Sequence, residues 1–364
     1  MPSIWNNGLK ISIFGESHSE AIGVVIDNLP AGKPIDMAQV RNFLRRRQAK
    51  SDGTTTSRIE PDLPQVLSGL INDTTTGTPL CLMIQNTNTH SSDYDNLKTT
   101  VRPGHADYTG FVKYHGANDI RGGGHFSGRL TACMVAAGAI CGQILASKGI
   151  YAGAHLLSVN HIEDQKLDSI SITKQQIEQL QALPFPVIQE KTRTEIIDLI
   201  NDARMNLNSV GGVVECIAIG MPAGIGSPIF DGIESILSSL MFAIPGVKGI
   251  EFGRGFECTK LYGSENNDEF YIDDANQVKT KTNNHGGILG GITSGMPIDF
   301  RVAFKPTASI STKQHTIDVK TYQNTTLHIV GRHDPCIAVR AVPVVEACCN
   351  IGLLSAFILE HGLD

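Results

Sequence analysis

The chain has 364 residues, 41% of them hydrophobic, enough to bury a large core as one big domain or two ordinary ones. Thirty Lys and Arg against 36 Asp and Glu give a formal charge of −6, which excludes global recruitment by nucleic acid or an anionic membrane, so an anionic ligand has to be drawn by local charge. The opening MPSIWNNGLKISIF lacks the basic flank and long apolar run of a secretory signal, and no stretch reads as fit to span a bilayer, so a soluble cytoplasmic protein is expected.

In chain order, the strand ISIF runs into FGESHSEAIG (14–23), a Gly-flanked turn carrying Glu16, Ser17 and His18. Side chains at a strand exit are placed to face a ligand, and a histidine can protonate a leaving oxyanion near neutral pH without unusual tuning. An ordinary surface-turn histidine is the competing reading. After the strand GVVID, residues 37–48 put Met37, Val40, Phe43 and Leu44 on one helical face behind Asp36 as N-cap, and the helix delivers Arg45, Arg46 and Arg47 at its C-terminal end. LCLMI reads as the next strand. VRPGHADYTG (101–110) is a Pro-Gly turn that sets Arg102 three residues from His105, a cation and a proton donor at one bend.

DIRGGGHFSGRLTACMVAAGAI (119–140) brings three glycines and a polar triplet to the start of a nearly uncharged, Ala-rich helix over 127–148 that ends at Gly149. Backbone N–H groups at such an N-terminus suit a phosphate or an electron-rich ring edge, and a packing loop is the alternative. Neither a dinucleotide fingerprint nor a P-loop is present in this run. Further helices are expected over 174–183, 193–207, 231–242 and 343–358, with strands at GGVVECIAI, DFRVAF and TLHIV. NNHGGILGGITSGMPIDF (283–300) holds five glycines within ten residues, so its backbone can lie against a flat ligand. FKPTASIST (304–312) adds Lys305, Thr307 and Ser309, and VGRHDPCIAVRAVP (330–343) adds Arg332, His333 and Asp334 in succession.

GVVIDNLPAGKPIDMAQVRNFL (23–44) is echoed by GVVECIAIGMPAGIGSPIFDGIESIL (212–237), each a strand, a Pro-Ala-Gly turn and a helix. The expected fold class is therefore α+β: a single-domain β-α-β sandwich spanning 1–364, with an internally duplicated core and helices between mixed or antiparallel sheets. Eight cysteines at 81, 133, 141, 216, 258, 336, 348 and 349 lack paired spacing, so reduced structural thiols and no metal site are expected.

Each signal is weak alone, but GESH, RPGHADYTG, the RGGG loop, NNHGGILGGI, KPTASI and GRHDP, joined by RRRQ, LSG and TTGTP, occur in an order and wording that resemble the chorismate synthases from ISIFGESH to RAVPVVEA. The resemblance implies a redox-neutral lyase: anti-1,4-elimination of phosphate and the C6 pro-R hydrogen from 5-enolpyruvylshikimate 3-phosphate (EPSP), with reduced FMN required and NADPH as a reductant to be tested. Two carboxylates and a phosphate carry roughly four negative charges, and desolvating them needs several fixed cations. Positions matching the family's substrate-binding residues are Ser17, Arg47, Arg102, Arg129 and Arg332. The catalytic positions carried over are His18 as general acid toward phosphate, His105 at the reduced flavin and Asp334 assisting removal of the C6 proton. The flavin cradle carries over onto His125, Phe126, Ser127, Gly290, Lys305, Pro306, Thr307, Ala308, Ser309 and Arg332. A homotetramer is also implied.

The sequence departs from the family pattern in two places. Many members have Arg-Ser-Ser-Ala-Arg-Glu-Thr where this chain has His125 to Thr131, and Gly53 falls near a frequent arginine, leaving Lys50 or Arg58 as substitutes. A flavin oxidoreductase acting on an anionic substrate, or a non-catalytic anion-binding protein, are the competing functions.

Overall fold

The computed structural model describes residues 3–50, 52–88, 99–329 and 333–363. Two five-stranded sheets, antiparallel at every pairing, enclose a layer of helices. The first holds β1 (Ile4–Asn7), β2 (Leu9–Gly15), β3 (Ala21–Asp27), β4 (Pro64–Ser68) and β5 (Leu80–Gln85) in the order β1-β2-β3-β5-β4. The second holds β6 (Tyr151–Val159), β7 (Ile162–Glu163), β8 (Gly212–Ile219), β9 (Val247–Phe252) and β10 (Ile298–Phe304) in the order β7-β6-β8-β10-β9. Counted in chain order within each sheet, the strands run 1-2-3-5-4 in the first and 2-1-3-5-4 in the second, so the middle strand and the two beyond it match while the outer pair is exchanged, and the two copies of the sequence echo begin on the middle strands β3 and β8.

The helices repeat as well. Each middle strand leads to a short helix, α1 (Met37–Arg47) or α6 (Ile233–Met241), and each half closes on a long one, α3 (Thr131–Ala146) or α7 (Ala338–His361). Between them in the chain lie α2 (Asp107–Lys113), α4 (Lys174–Ala182) and α5 (Glu190–Met205). The two long helices pack on each other and on both sheets, with α1 against α3 and α6 against α7, so one apolar core runs from Ile22 and Leu82 of the first sheet to Val214 and Phe300 of the second. Alternation does the sorting: Val214, Cys216 and Ala218 of β8 face this core, while Glu215 between them faces away, where it meets His155. Gly138 of α3 shows how closely the long helices meet, because a Cβ there would lie 2.4 Å from the Ala347 backbone.

The Asp36 cap is as expected: its carboxylate accepts from the N–H groups of Ala38 and Gln39. The helix expected over 343–358 instead spans 338–361 with Pro343 inside it. The TLHIV strand is shifted to Gln323–Leu327. The expectation that no stretch is long and apolar enough to cross a bilayer is corrected: Gly128–Ala146 and Ala338–His361 both are by length and composition. Their windows are 78% and 89% buried within the fold, because these are the two helices with sheet on either side.

Candidate active site

A cavity of about 1030 Å³ opens where the C-terminal end of α1, the start of α3 and the start of α7 meet the connection between α6 and β9 and the loop after β10. Arg47, Arg58, Arg102, Lys113, Arg129, Lys248, Lys305 and Arg340 line it, against the carboxylates of Glu60, Asp62 and Asp334. A chain that is acidic overall has therefore concentrated its cations here, where walls of low dielectric strengthen their pull on an anion.

Helical spacing explains how one arginine enters. Successive residues turn by about 100°, so the three arginines ending α1 diverge. Arg45 points to Asn42, Arg46 makes a two-pronged ion pair with the buried carboxylate of Glu346 on α7, and Arg47 turns into the cavity floor. There the Arg47 guanidinium donates to Thr131 Oγ1 at 2.8 Å, Gly128 O at 2.9 Å and Asp62 Oδ2 at 3.2 Å. Arg129 donates to the other oxygen of Asp62 and, at 2.9 Å, to Asn86 Oδ1. Burial, helped by Arg340 and opposed by Asp62, lowers Arg47 to about 9, still cationic at neutral pH. On the same wall Arg340 donates to Asp334 Oδ2 at 2.9 Å and to the Arg47 carbonyl at 3.0 Å, while the Thr56 N–H reaches Asp334 Oδ1 at 2.9 Å.

The Pro103-Gly104 bend and the loop after β10 form a second wall. Arg102 donates from Nε to Asp107 Oδ2 and from Nη2 to Asp107 Oδ1, both at 2.7 Å, and from Nη1 to Ser309 Oγ at 3.1 Å. His105 Nδ1 lies 2.5 Å from Asp107 Oδ1. Burial opposes charge on Asp107, but bonds from Arg102 and His105 outweigh it and hold the carboxyl well below its usual range. Burial, with the charges of Arg102 and Lys305, lowers the pKa of His105 against the pull of Asp107. Lys305 is lowered by its own burial and by Lys248. Thr307 Oγ1 is buried without a hydrogen-bond partner.

The RGGG loop divides the two histidines. Gly122, Gly123 and Gly124 have φ of 59°, 84° and 53°, the left-handed region that glycine alone adopts cheaply. A Cβ on Gly122 would sit 2.3 Å from His18 Cε1 and 2.5 Å from Ser17 Oγ, and one on Gly123 would sit 3.3 Å from His105 Nε2. His18 and Ser17 thus pack behind the loop, and His105 lies on the cavity side. Arg58 ties this loop region to the wall, donating to Ser17 Oγ at 2.9 Å and to the Ser17 carbonyl at 3.0 Å.

Of the residues singled out in the sequence, Arg47, Arg102, His105, His125, Phe126, Ser127, Arg129, Lys305, Pro306, Thr307, Ala308, Ser309 and Asp334 line one cavity. Arg332 lies outside the described residues. Gly290 is not brought there: it sits at the turn of a small hairpin pairing Ile288–Leu289 with Ile292–Thr293, because the glycine-rich segment uses its freedom in a backbone fold-back, with Gly291 O accepting from Ile233 N. His125 lines the wall with both ring nitrogens engaged, Nδ1 2.8 Å from the Gly15 carbonyl and Nε2 2.6 Å from Ser3 Oγ. It presents a ring face, not a free donor. Of the two substitutes for the missing arginine, Arg58 lines the cavity, while Lys50 reaches away to the Pro184 carbonyl and the Phe185 ring. Asp62, Asp107, Lys248 and Arg340 escaped the sequence reading. Their only signal was proximity in sequence to a named residue, and Lys248 had none.

The residues present suit a flat, electron-rich ring carrying a phosphate. The cavity falls at the upper end of the range for small-molecule sites, Met134, Pro245, Ile337 and Val344 provide apolar faces, and the unpartnered Thr307 hydroxyl beside Lys305 offers a polar contact.

The profile of the family described as chorismate synthase matches residues 9–358. A chorismate synthase of Dehalococcoides mccartyi (strain 195) is 46% identical over 354 residues, covering 97% of this chain and 96% of that protein. One from Pyrococcus abyssi is 42% identical over 356 residues, covering 98% and 96%. A crystal structure of a chorismate synthase superimposes with a TM-score of 0.77 at 27% identity, covering 97% of this chain and 93% of the other. With a family match over nearly its whole length and that fold, the chain belongs to the chorismate synthase family.

Proposed function

We propose that this lyase eliminates phosphate and the C6 pro-R hydrogen from EPSP to give chorismate, with reduced FMN required and no net redox change. One observation carries the reading: a cavity in an acidic chain whose walls hold, among the described residues, eight cationic side chains together with His105 and Asp334, and behind whose glycine loop lies His18. Arg47, Arg129 and Arg102 hold the substrate's oxyanions, each guanidinium already oriented by a buried carboxylate. His18, with Ser17 beside it, gives a proton to the departing phosphate. Lys305, Thr307, Ser309 and His105 hold the reduced cofactor and its charge, with Phe126, Ser127, Pro306 and Ala308 completing the wall. Asp334 assists removal of the C6 proton. Bound reduced FMN supplies electron density to the breaking C–O bond and recovers it.

The test mixes protein, photoreduced FMN and EPSP without oxygen and follows phosphate and chorismate absorbance together. Equimolar products are expected, and their absence sinks the proposal. Net hydride transfer would favour the oxidoreductase instead. Alanine at His18 or His105 should abolish phosphate release while FMN still binds, which a non-catalytic anion binder would not do. Adding NADPH to oxidised FMN asks whether the chain reduces its own flavin. A homotetramer is part of the same reading, supported by the exposed apolar side chains Ile229, Phe230, Phe256 and Tyr262 and tested by light scattering.

A further inference from the structure

Asp107 stands two residues past His105 at the head of α2 and shares its carboxylate between two partners. Oδ2 accepts from Arg102 Nε at 2.7 Å and from the Arg102 backbone N–H at 2.9 Å, while Oδ1 accepts from Arg102 Nη2 at 2.7 Å and meets His105 Nδ1 at 2.5 Å. An ionised carboxylate only accepts, so a contact of that length requires the proton to be on Nδ1. Arg102 Nη2 lies 3.1 Å from the same nitrogen. Because a guanidinium only donates, that approach is tolerable when both N–H groups converge on the shared Oδ1. Nε2 is then the ring nitrogen left for exchange, 3.3 Å from where a Cβ on Gly123 would sit, in a ring that lines the cavity.

We infer that Asp107 is a positioning residue that holds a proton on His105 Nδ1 and so leaves Nε2 as the nitrogen that exchanges a proton with the bound reactants. The charged groups facing the ring are Arg102 and Asp107 from its own turn and Lys305 from the loop after β10. The two cations disfavour a second proton, and Asp107 alone offsets them. This rests on the proposed role of His105 and adds the group that sets its direction.

The Asp107→Asn substitution keeps the shape and removes the shared acceptor. Whichever way the amide turns, one edge carries N–H. With oxygen toward Arg102 Nε and the backbone N–H, its NH₂ faces His105 Nδ1 and favours the opposite tautomer. Nitrogen NMR of histidine-labelled full-length protein, with the His105 signal assigned by its loss in His105→Gln, reads the tautomer without any turnover. The expected result is Nδ1–H in the wild type and a shift toward Nε2–H in D107N. Chorismate formation in D107N should fall roughly 10²- to 10⁴-fold in kcat, with KM for EPSP raised as well because Arg102 loses its ionic partner, and with the pH profile displaced to lower pH. The same substitution in a His105→Ala background should cost little further. An Nε2–H signal in the wild type overturns the inference even if D107N does not fold. So does D107N with unchanged tautomer and near-normal kcat. A wild type that forms no chorismate yet shows Nδ1–H would overturn the proposed function and leave this assignment standing.

Discussion

Replacing Asp62 by alanine isolates the electrostatics of the cavity floor. Its carboxylate is 1% exposed and pairs with two guanidiniums, Arg47 and Arg129, that are 4% and 5% exposed. Removing one partner of a buried ion pair costs about 3–5 kcal/mol, because the other charge stays desolvated. Two considerations place this case near the lower figure. Arg47 keeps Thr131 Oγ1 and the Gly128 carbonyl as acceptors, and Arg129 keeps Asn86 Oδ1, so neither loses all its hydrogen bonds. The new vacancy is also polar and faces a cavity that water can enter. A loss of about 3 kcal/mol from a total of about 5–15 leaves the protein folded but much weakened. Urea unfolding of wild type and D62A gives the difference directly, and repeating it in phosphate asks whether an external anion takes the place of the carboxylate. Restoration of at least half the loss is expected. A loss below about 1 kcal/mol that phosphate leaves unchanged would refute the claim that the two arginines depend on this charge.

Gly122→Ala should lower kcat at least tenfold with the fold retained, since the added methyl would stand 2.3 Å from the His18 ring at a φ of 59°; steady-state kinetics beside a thermal melt separate the two effects. Asp299→Asn should stabilise the protein above pH 7. Burial and the charge of Glu215, against Arg301 and Lys166, raise Asp299 to about 7. The folded state therefore holds a proton that the unfolded chain releases near pH 4, and stability from this group is present at low pH and lost as pH rises through about 7. Denaturation curves from pH 4 to 8 should show a falling contribution in wild type that the amide removes.

Much of this was readable because the information was local. Asp36 ahead of Met37, Val40, Phe43 and Leu44 specifies a capped helix without reference to the rest of the chain, and alternation in GGVVECIAI marks a strand. The sequence echo also pointed to the duplication, since the turn and helix following β3 and β8 are determined by short-range patterns. The misses came where tertiary context decides. Pro343 reads as a helix start, yet α7 begins five residues earlier because the apolar layer between two sheets holds its first turns in place despite the missing N–H. Gly290 is placed in a hairpin turn apart from the residues that line the cavity. Asp62 and Arg340 became part of the site only when α1, α3 and α7 converged, a contact between residues nearly three hundred positions apart that no spacing rule encodes.

The recurrence of middle strand, short helix and long helix has an implication for how such an enzyme can arise or be divided. The first repeat donates Arg47, Arg58, His105 and Arg129 to the pocket, and the second donates Lys248, Lys305, Ser309 and Asp334, so the repeats share an architecture but not a job. A chain cut in the loop between α3 and β6 would yield two pieces that share the plan from the middle strand to the long helix and hold complementary halves of one reaction centre, and turnover would return only when they reassociate.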